Sequence, residues 1–389
     1  MSELFGKNKK EIIKEIIKRI HQGEDVKKLK EEFKDSLKGL TPKIVAEIEE
    51  ELIREGMSKE EIQKFCSLHL ALMEEELAKE EILTEPGHPI YILMSEHKIL
   101  LENSREFYQI LLENKLDEKL EHIIHHFKDS ESHYLREENV LFPYLEKHGI
   151  TQPPAIMWME HDKIRSIKKE IYQLWEKKEN LNLLKEKAQE LFEMLNSHFY
   201  KENKILFPTS LNVITQEEWQ EIKKEFNEIG YCCFTPDEST KREEIKETTK
   251  KISETLPINF ETGAFSLEEL ENLLNTLPFD ITFVDKNDIV RYFNQSKERI
   301  FLRTKAVLGR KVQQCHPQKS IHIVERILSD FKNKKRDVAE FWISHKGRLV
   351  HIRYFAVRNK EGDYLGCIEV TQDITEIKKI EGEKRIYDY

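Results

Sequence analysis

An internal repeat constrains this chain more than any other feature. His133-Tyr-Leu-Arg-Glu137 runs into Leu141-Phe-Pro143, and His198-Phe-Tyr-Lys-Glu202 runs into Leu206-Phe-Pro208, so the pattern HxxxExxxLFP occurs twice. Upstream of each copy stands a matching pair, Glu96-His97 with Ile99 and Glu160-His161 with Ile164. Self-similarity of this kind marks one supersecondary unit used twice. From Ile90 to about Leu206 apolar residues recur at helical spacing, with breaks at Asn114-Lys115, from Gly149 to Pro154 and near Asn180. Short connections join antiparallel neighbours, so two helical hairpins predict an up-and-down four-helix bundle.

The spacing also carries chemistry. Residues four apart on a helix lie one above the other, so His133 with Glu137, and His198 with Glu202, each present a nitrogen and a carboxylate to one point. His97 and His133 lie about a dozen to twenty residues from the turn they share, as do His161 and His198. At ~1.5 Å per residue each pair falls at nearly one height. The plainer reading places these residues on solvated helix faces, where ionisable side chains usually sit. A matched His on each of four helices argues against it, because burying such groups unpaired is costly unless a metal claims them. Mixed imidazole and carboxylate donors suit iron or manganese, and six ligands exceed what one zinc takes. Two glutamates from opposite hairpins can bridge a pair of ions. The order is His-x-x-x-Glu, unlike the Glu-x-x-His of ferritin-like bundles.

Composition fits a helix-rich globular chain, 39% hydrophobic and 35% charged with 13 Gly and 11 Pro in 389 residues. No apolar run approaches the ~20 residues of a membrane span, and the N-terminus lacks a signal-peptide core. Five cysteines without repeated spacing do not form a disulfide framework. A cytoplasmic protein is expected. The net charge of -10 is dispersed, and nothing in it marks a nucleic-acid groove.

Residues 1–82 read as a small helical domain. Ile12, Ile13, Ile16, Ile17 and Ile20 share a face, Thr41-Pro42 signals a helix start, and Ser58 with Glu61 forms a capping box. Pro86-Gly87-His88-Pro89 breaks the helical pattern. The bundle is expected over 86–230, with a last helix near Gln216 to Glu228 packed outside it. A charged linker over 235–262 follows. From 263 to 380 two β-rich runs flank Asp285-Lys-Asn-Asp288, then come a helical middle and three strands, Ala339 to Ile343, Arg348 to Val357 and Tyr364 to Val370. The fold class is thus multidomain: mainly α, followed by an α+β domain with a five-stranded antiparallel sheet. Phe279, Phe283, Phe301, Phe331 and Phe341 read as its core.

Other candidates for chemistry are weaker. His88 sits just ahead of the first bundle helix as an additional ligand candidate. Cys66 and His69 form a candidate metal or haem clip, more readily explained as a buried structural pair. His122 and His126 share the face of His133, but His126 lies about 10 Å from it, beyond one coordination sphere. Cys315, His316 and His322 fall on the helical side of the C-terminal domain as a candidate ligand site, haem included, against a packing or surface role.

With the pairs His133/Glu137 and His198/Glu202 and with His97 and His161, residues from about Pro86 to Glu228 resemble the hemerythrin-like, or HHE cation-binding, domain. The resemblance implies a non-haem centre of two iron ions, manganese being the alternative, that binds oxygen, nitric oxide or peroxide or that holds iron. Oxygen carriers of this family have a second histidine one turn from the first on the third helix. Here Met157 and Arg165 flank His161, which shifts weight from oxygen carriage to sensing, storage or redox chemistry. Residues from about Leu267 to Ile380 resemble a PAS domain through Leu277-Pro278, Val284-Asp285, Tyr292-Phe293-Asn294, Gly309-Arg310 and Val370-Thr-Gln-Asp-Ile-Thr-Glu376. The first 80 residues are similar to a helical domain of unknown function that accompanies such domains. The expected function is a di-iron sensor of oxygen, nitric oxide or iron or redox state that relays through the PAS domain. Homo-oligomerisation through that domain or a protein partner would carry the output. An iron-handling or peroxide- or nitric-oxide-reducing protein, and a PAS haem or metabolite receptor, are the alternatives.

Overall fold

A computed structural model describes residues 84–113, 118–177, 180–236 and 258–383, together with parts of 11–57. The chain divides into two compact units, residues 1–242 and 243–389. In the N-terminal part, helix α1 (Val26–Glu32) starts where the Asp25 side chain accepts from the Lys28 N–H, and Ile16, Leu29, Ile48 and Leu52 are buried. Ile13, Ile17 and Ile20, the Thr41-Pro42 and Ser58–Glu61 caps, Cys66 with His69, and the Asn114-Lys115 connection lie outside the described residues.

The bundle consists of α2 (Pro89–Leu112), an interrupted second helix built from α3 (Glu118–Asp129), α4 (Glu131–Arg136) and α5 (Phe142–Lys147), then α6 (Gln152–Lys177), and an interrupted fourth built from α7 (Leu181–Lys201) and α8 (Phe207–Val213). Helix α2 packs against α7 and α3, and α6 packs against α7. On α2 the buried stripe runs Leu93, His97, Leu100, Ser104, Phe107, Leu111, alternating steps of four and three. On α6 it runs Met157, His161, Ile164, Lys168, Ile171. The histidines therefore occupy core positions of otherwise apolar stripes. The loop expected to reach Pro154 is shorter than that. Gly149, at φ +81°, closes the turn and α6 begins at Gln152, because Pro153 and Pro154 fall in a first turn whose N–H groups need no helical partner. Helix α9 (Gln216–Ile229) opens on a capping box between Thr215 and Glu218 and buries Trp219, Ile222 and Phe226.

Each interrupted helix contains one π turn, Glu137–Leu141 and Glu202–Leu206, starting at the glutamate of the repeat. The Phe142 N–H bonds to the Glu137 carbonyl, and Phe207 to that of Glu202, five residues back. Pro143 and Pro208 explain the position. A proline cannot donate to the preceding turn and its ring would strike the carbonyl four residues back, so the helix widens before it.

Thr235, expected at the start of the linker, is buried and donates to Glu96. The charged stretch itself, 237–257, lies outside the described residues. The second unit begins with a two-stranded hairpin of β1 (Ile258–Phe260) and β2 (Gly263–Phe265), which occupies the end of the expected linker, followed by α10 (Leu267–Thr276). Strands β3 (Asp280–Asp285), β4 (Val290–Phe293), β5 (Val338–His345), β6 (Arg348–Arg358) and β7 (Tyr364–Asp373) form one antiparallel sheet in the order β4-β3-β7-β6-β5. Helix α11 (Gln318–Lys332) contacts β7. The Asp285 carboxylate accepts from the N–H groups of Asn287 and Ile289 and so shapes the β3–β4 turn. Of the five phenylalanines expected in this core, Phe331 is fully buried. Phe279, Phe283, Phe301 and Phe341 are half-buried. No described helix is long and apolar enough to cross a membrane.

Lys168 is the anomaly of the bundle core. Its Nζ donates to Ser130 Oγ at 2.6 Å and Tyr134 Oη at 3.1 Å, and burial pushes its pKa down from 10.5 to about 7. The unfolded chain keeps that proton until about pH 10. Between pH 7 and 10 the unfolded state therefore binds more protons, and stability rises with pH. We expect a gain on the order of 3 kcal/mol across that window, reduced in Lys168→Met. Chemical denaturation of both proteins at pH 7 and 9.5 checks it, and an equal pH dependence in the two would refute the assignment.

Candidate metal centre

The six side chains of the repeat converge. His97, His133, Glu137 and Glu202 form one group whose ligand atoms lie within 4.8 Å of one another, and Glu137, His161, His198 and Glu202 form a second. The two glutamates belong to both. All six are at most 1% exposed. His97 Nε2 stands 3.2 Å from Glu202 and 3.2 Å from His133 Nε2, and His198 Nε2 stands 3.2 Å from Glu202. His161 Nε2 is 3.3 Å from Glu137 and 3.7 Å from Glu202, while His133 Nε2 is 3.5 Å from Glu137.

The other nitrogen of each ring is already engaged. His133 Nδ1 meets Glu96 at 2.6 Å, His161 Nδ1 meets Glu138 at 2.8 Å, His198 Nδ1 meets Glu160 at 2.8 Å, and His97 Nδ1 meets Asn203 Oδ1 at 3.1 Å. An acceptor at Nδ1 assigns the proton to that nitrogen and leaves Nε2 as a lone pair. Four lone pairs thus face two carboxylates. Both oxygens of Glu137 and of Glu202 are buried without a hydrogen-bond partner, as are the Nε2 atoms of His161 and His198. Electron-rich groups in a buried site repel one another unless cations stand between them. The donor set therefore fits a metal ion of the iron or manganese type, with Glu137 and Glu202 placed to serve two positions.

The same groups shift one another's titration. Burial alone would lower His161, but the carboxylates of Glu137, Glu138 and Glu202 outweigh it and hold the ring well above its usual range. His198 is raised in the same way by Glu202 and Glu160. Burial would raise Glu202, yet the imidazoles of His198, His161 and His97 hold it well below the carboxylate range. Burial dominates at His97 and lowers it.

A further layer of charge holds the carboxylates behind the imidazoles. The Arg136 guanidinium donates to both Glu96 oxygens at 2.7 Å, Lys201 pairs with Glu160, and Arg165 donates to Glu138 at 2.7 and 3.0 Å. Burial would raise the Glu96 carboxyl, but Arg136 and His133 outweigh it and bring it down to about 2. Lys201 stands 65 positions after Arg136, Glu160 stands 64 after Glu96, and Asn203 stands 65 after Glu138. The repeat therefore extends to residues that ligand spacing alone does not assign. The signal for them is the side chain directly before each upstream His and those on either side of each Glu of the repeat.

The remaining candidates stay apart from this cluster. His88 caps α2, its Nδ1 accepting from the Ile90 N–H at 3.1 Å while its ring packs on Trp219, and burial pushes it down to about 4. That nitrogen is committed to the helix start, and His88 belongs to neither group of ligand atoms. His126 bonds to Asn103 at 2.9 Å and its ring lies against those of His122 and Phe234. Arg165 does not face the ligand atoms but bridges Glu131 and Glu138. Cys315, His316 and His322 are not gathered to one point: Cys315 is buried with its thiol toward the Lys311 carbonyl, His316 is pushed down to about 4 by burial, and His322 is exposed on α11. Among the described residues no third group of His, Cys, Asp and Glu has metal-site geometry.

Removing Arg136 leaves Glu96 as a buried carboxylate without its cation. Arg136→Met is expected to cost ~3–5 kcal/mol, and adding Glu96→Gln should recover part of that loss. Thermal unfolding of the two variants checks the pair, and a neutral Arg136→Met would contradict it.

Comparison with known proteins gives three family matches. Residues 13–79 match a family of unknown function (DUF438), residues 88–210 match the hemerythrin HHE cation binding domain, and residues 270–375 match a PAS domain. Among solved structures, a C-terminal domain from Streptococcus mutans is 35% identical and covers 33% of this chain and 100% of its own, with TM-score 0.32. The PAS domain of a protein from Colwellia psychrerythraea is 17% identical over 28% of this chain and 98% of its own, with TM-score 0.23. The PAS domain from Bordetella pertussis BvgS is 22% identical over 29% and 89%, with TM-score 0.25. No curated protein matches the chain. With a His and Glu cluster that could hold metal inside the second matched segment, the chain carries a hemerythrin HHE cation binding domain, preceded by a domain of unknown function and followed by a PAS domain.

Proposed function

We propose that the bundle holds a non-haem centre of two iron ions and senses oxygen, nitric oxide or redox state, with the PAS domain as the relay. One observation carries this reading: two four-residue groups share Glu137 and Glu202, whose four oxygens have no hydrogen-bond partner. His97 and His133 would hold one ion, His161 and His198 the other, and the two glutamates would serve both. Bound iron would supply a redox couple and open positions for a small ligand. The chain's own part is to orient four imidazoles through Glu96, Glu138, Glu160 and Asn203. It also excludes water and any bulky substrate, since every ligand side chain is buried.

A sensing role is supported by where the chain leaves the bundle. Thr235 donates to Glu96, the carboxylate that orients His133, and the Cys233 N–H donates to Asp129. Cys232 Sγ lies 3.1 Å from Ser132 Oγ. A change of charge at the centre would therefore reach Thr235 through the Glu96 carboxylate. Output would run through association of the PAS domain with a second copy or a partner protein, for which β5 offers Trp342, 65% exposed, beside Val338 and Ile343.

His133→Ala combined with His198→Ala is expected to abolish binding of two irons per chain while the sheet unit keeps its fold, read by metal analysis and by hydrogen exchange of 280–373. Retention of both irons would overturn the ligand assignment. In the unaltered protein, hydrogen exchange over 230–236 should differ between the reduced and oxidised iron-loaded states. Identical protection, together with turnover of peroxide or nitric oxide well above that of free iron, would favour an enzyme over a sensor.

A further inference from the structure

Three of the four ring nitrogens behind the centre meet a carboxylate, and one meets an amide. Resting on the di-iron reading, we infer that Asn203 makes the two metal positions unequal: the His97/His133 position is the weak, exchangeable one and the His161/His198 position the tight one. His161 and His198 both donate to carboxylates, Glu138 and Glu160, at 2.8 Å. His133 has Glu96 at 2.6 Å, but His97 has only the neutral Asn203 oxygen at 3.1 Å. A carboxylate behind an imidazole makes the opposite nitrogen a stronger donor, and such outer partners change metal affinity by roughly 10–100-fold.

The substitution in the repeat is matched by its surroundings. Glu138 is held by Arg165, which also binds Glu131. The position 64 residues before Arg165 is Leu101. One side therefore carries a carboxylate with its cation and the other an amide with an apolar residue, so each side is internally consistent and Asn203 needs no counter-charge. The faces of His97 are also apolar. Its ring stacks on Phe199 at 3.9 Å and on Phe207 at 5.4 Å, which supplies no compensating donor or acceptor.

The amide and carboxylate can be exchanged without change of size. The full chain, loaded anaerobically with ferrous ion, is mixed with excess of a ferrous chelator and the coloured complex is followed in time. The unaltered protein should release one equivalent quickly and the second at least ~10-fold more slowly. Asn203→Asp should slow the fast phase toward the slow one. Glu138→Gln should speed the slow phase, so that both ions leave together. Slower release from Asn203→Asp is the decisive sign, because a purely structural disturbance would speed release. Should Glu138→Gln fail to fold for want of a partner to Arg165, Asn203→Asp alone decides. A single release rate for both ions in the unaltered protein, or phases that do not respond to Asn203→Asp, would overturn the inference while leaving the di-iron reading standing. Uptake of fewer than two ferrous ions at the start would overturn both.

Discussion

Two buried carboxylates facing four imidazole lone pairs set the terms for the bundle. Glu137 and Glu202 are fully buried and accept no hydrogen bond. In a low-dielectric interior that arrangement is repulsive, and only cations at the centre convert it into an attraction. The titration of these groups follows the same logic. Burial would lower the two histidines and raise the glutamate, yet His161 and His198 are drawn up by the carboxylates they face and Glu202 is drawn down by the imidazoles.

Charge alternates outward from that point. Behind the ligands stand Glu96, Glu138 and Glu160, and behind these stand Arg136, Arg165 and Lys201. Each layer stabilises the one inside it and would be costly on its own, which is why the ligand geometry is tied to side chains that never reach the centre. Thr235 joins this network at Glu96, and residues 237–257 begin soon after it. At Glu96 the support of His133 and the chain leaving the bundle share one carboxylate.

Much of this is legible in the sequence because the repeat fixes both fold and ligands. The spacing HxxxE pairs the donors, and equal distances from two turns set the common height. The π turns escape a reading by helical period, although the Leu-Phe-Pro of each copy contains their cause: a proline shortly after a buried glutamate forces the ladder to widen. The outer carboxylates are hidden for a different reason. Glu96 and Glu160 stand out beside their histidines, but which imidazole each one orients depends on a cross-helix contact, Glu96 to His133 and Glu160 to His198, that spacing along one helix does not reveal. In the sheet unit the turn residues Asp285 to Asp288 and His345 to Gly347 locate the strands. The candidate trio Cys315, His316 and His322 is not gathered to one point because proximity in sequence puts its members on a turn, its end and an exposed helix face.

The bundle needs cations to satisfy Glu137 and Glu202, and the most direct test is thermal unfolding of the metal-free chain titrated with ferrous ion under anaerobic conditions. A ligand that binds only the folded state raises its stability in proportion to the logarithm of its excess over the dissociation constant. The midpoint of the bundle's transition should rise with each addition and break at two ions per chain. A midpoint that does not move, or a break at one ion with no further binding, would contradict a centre built for two.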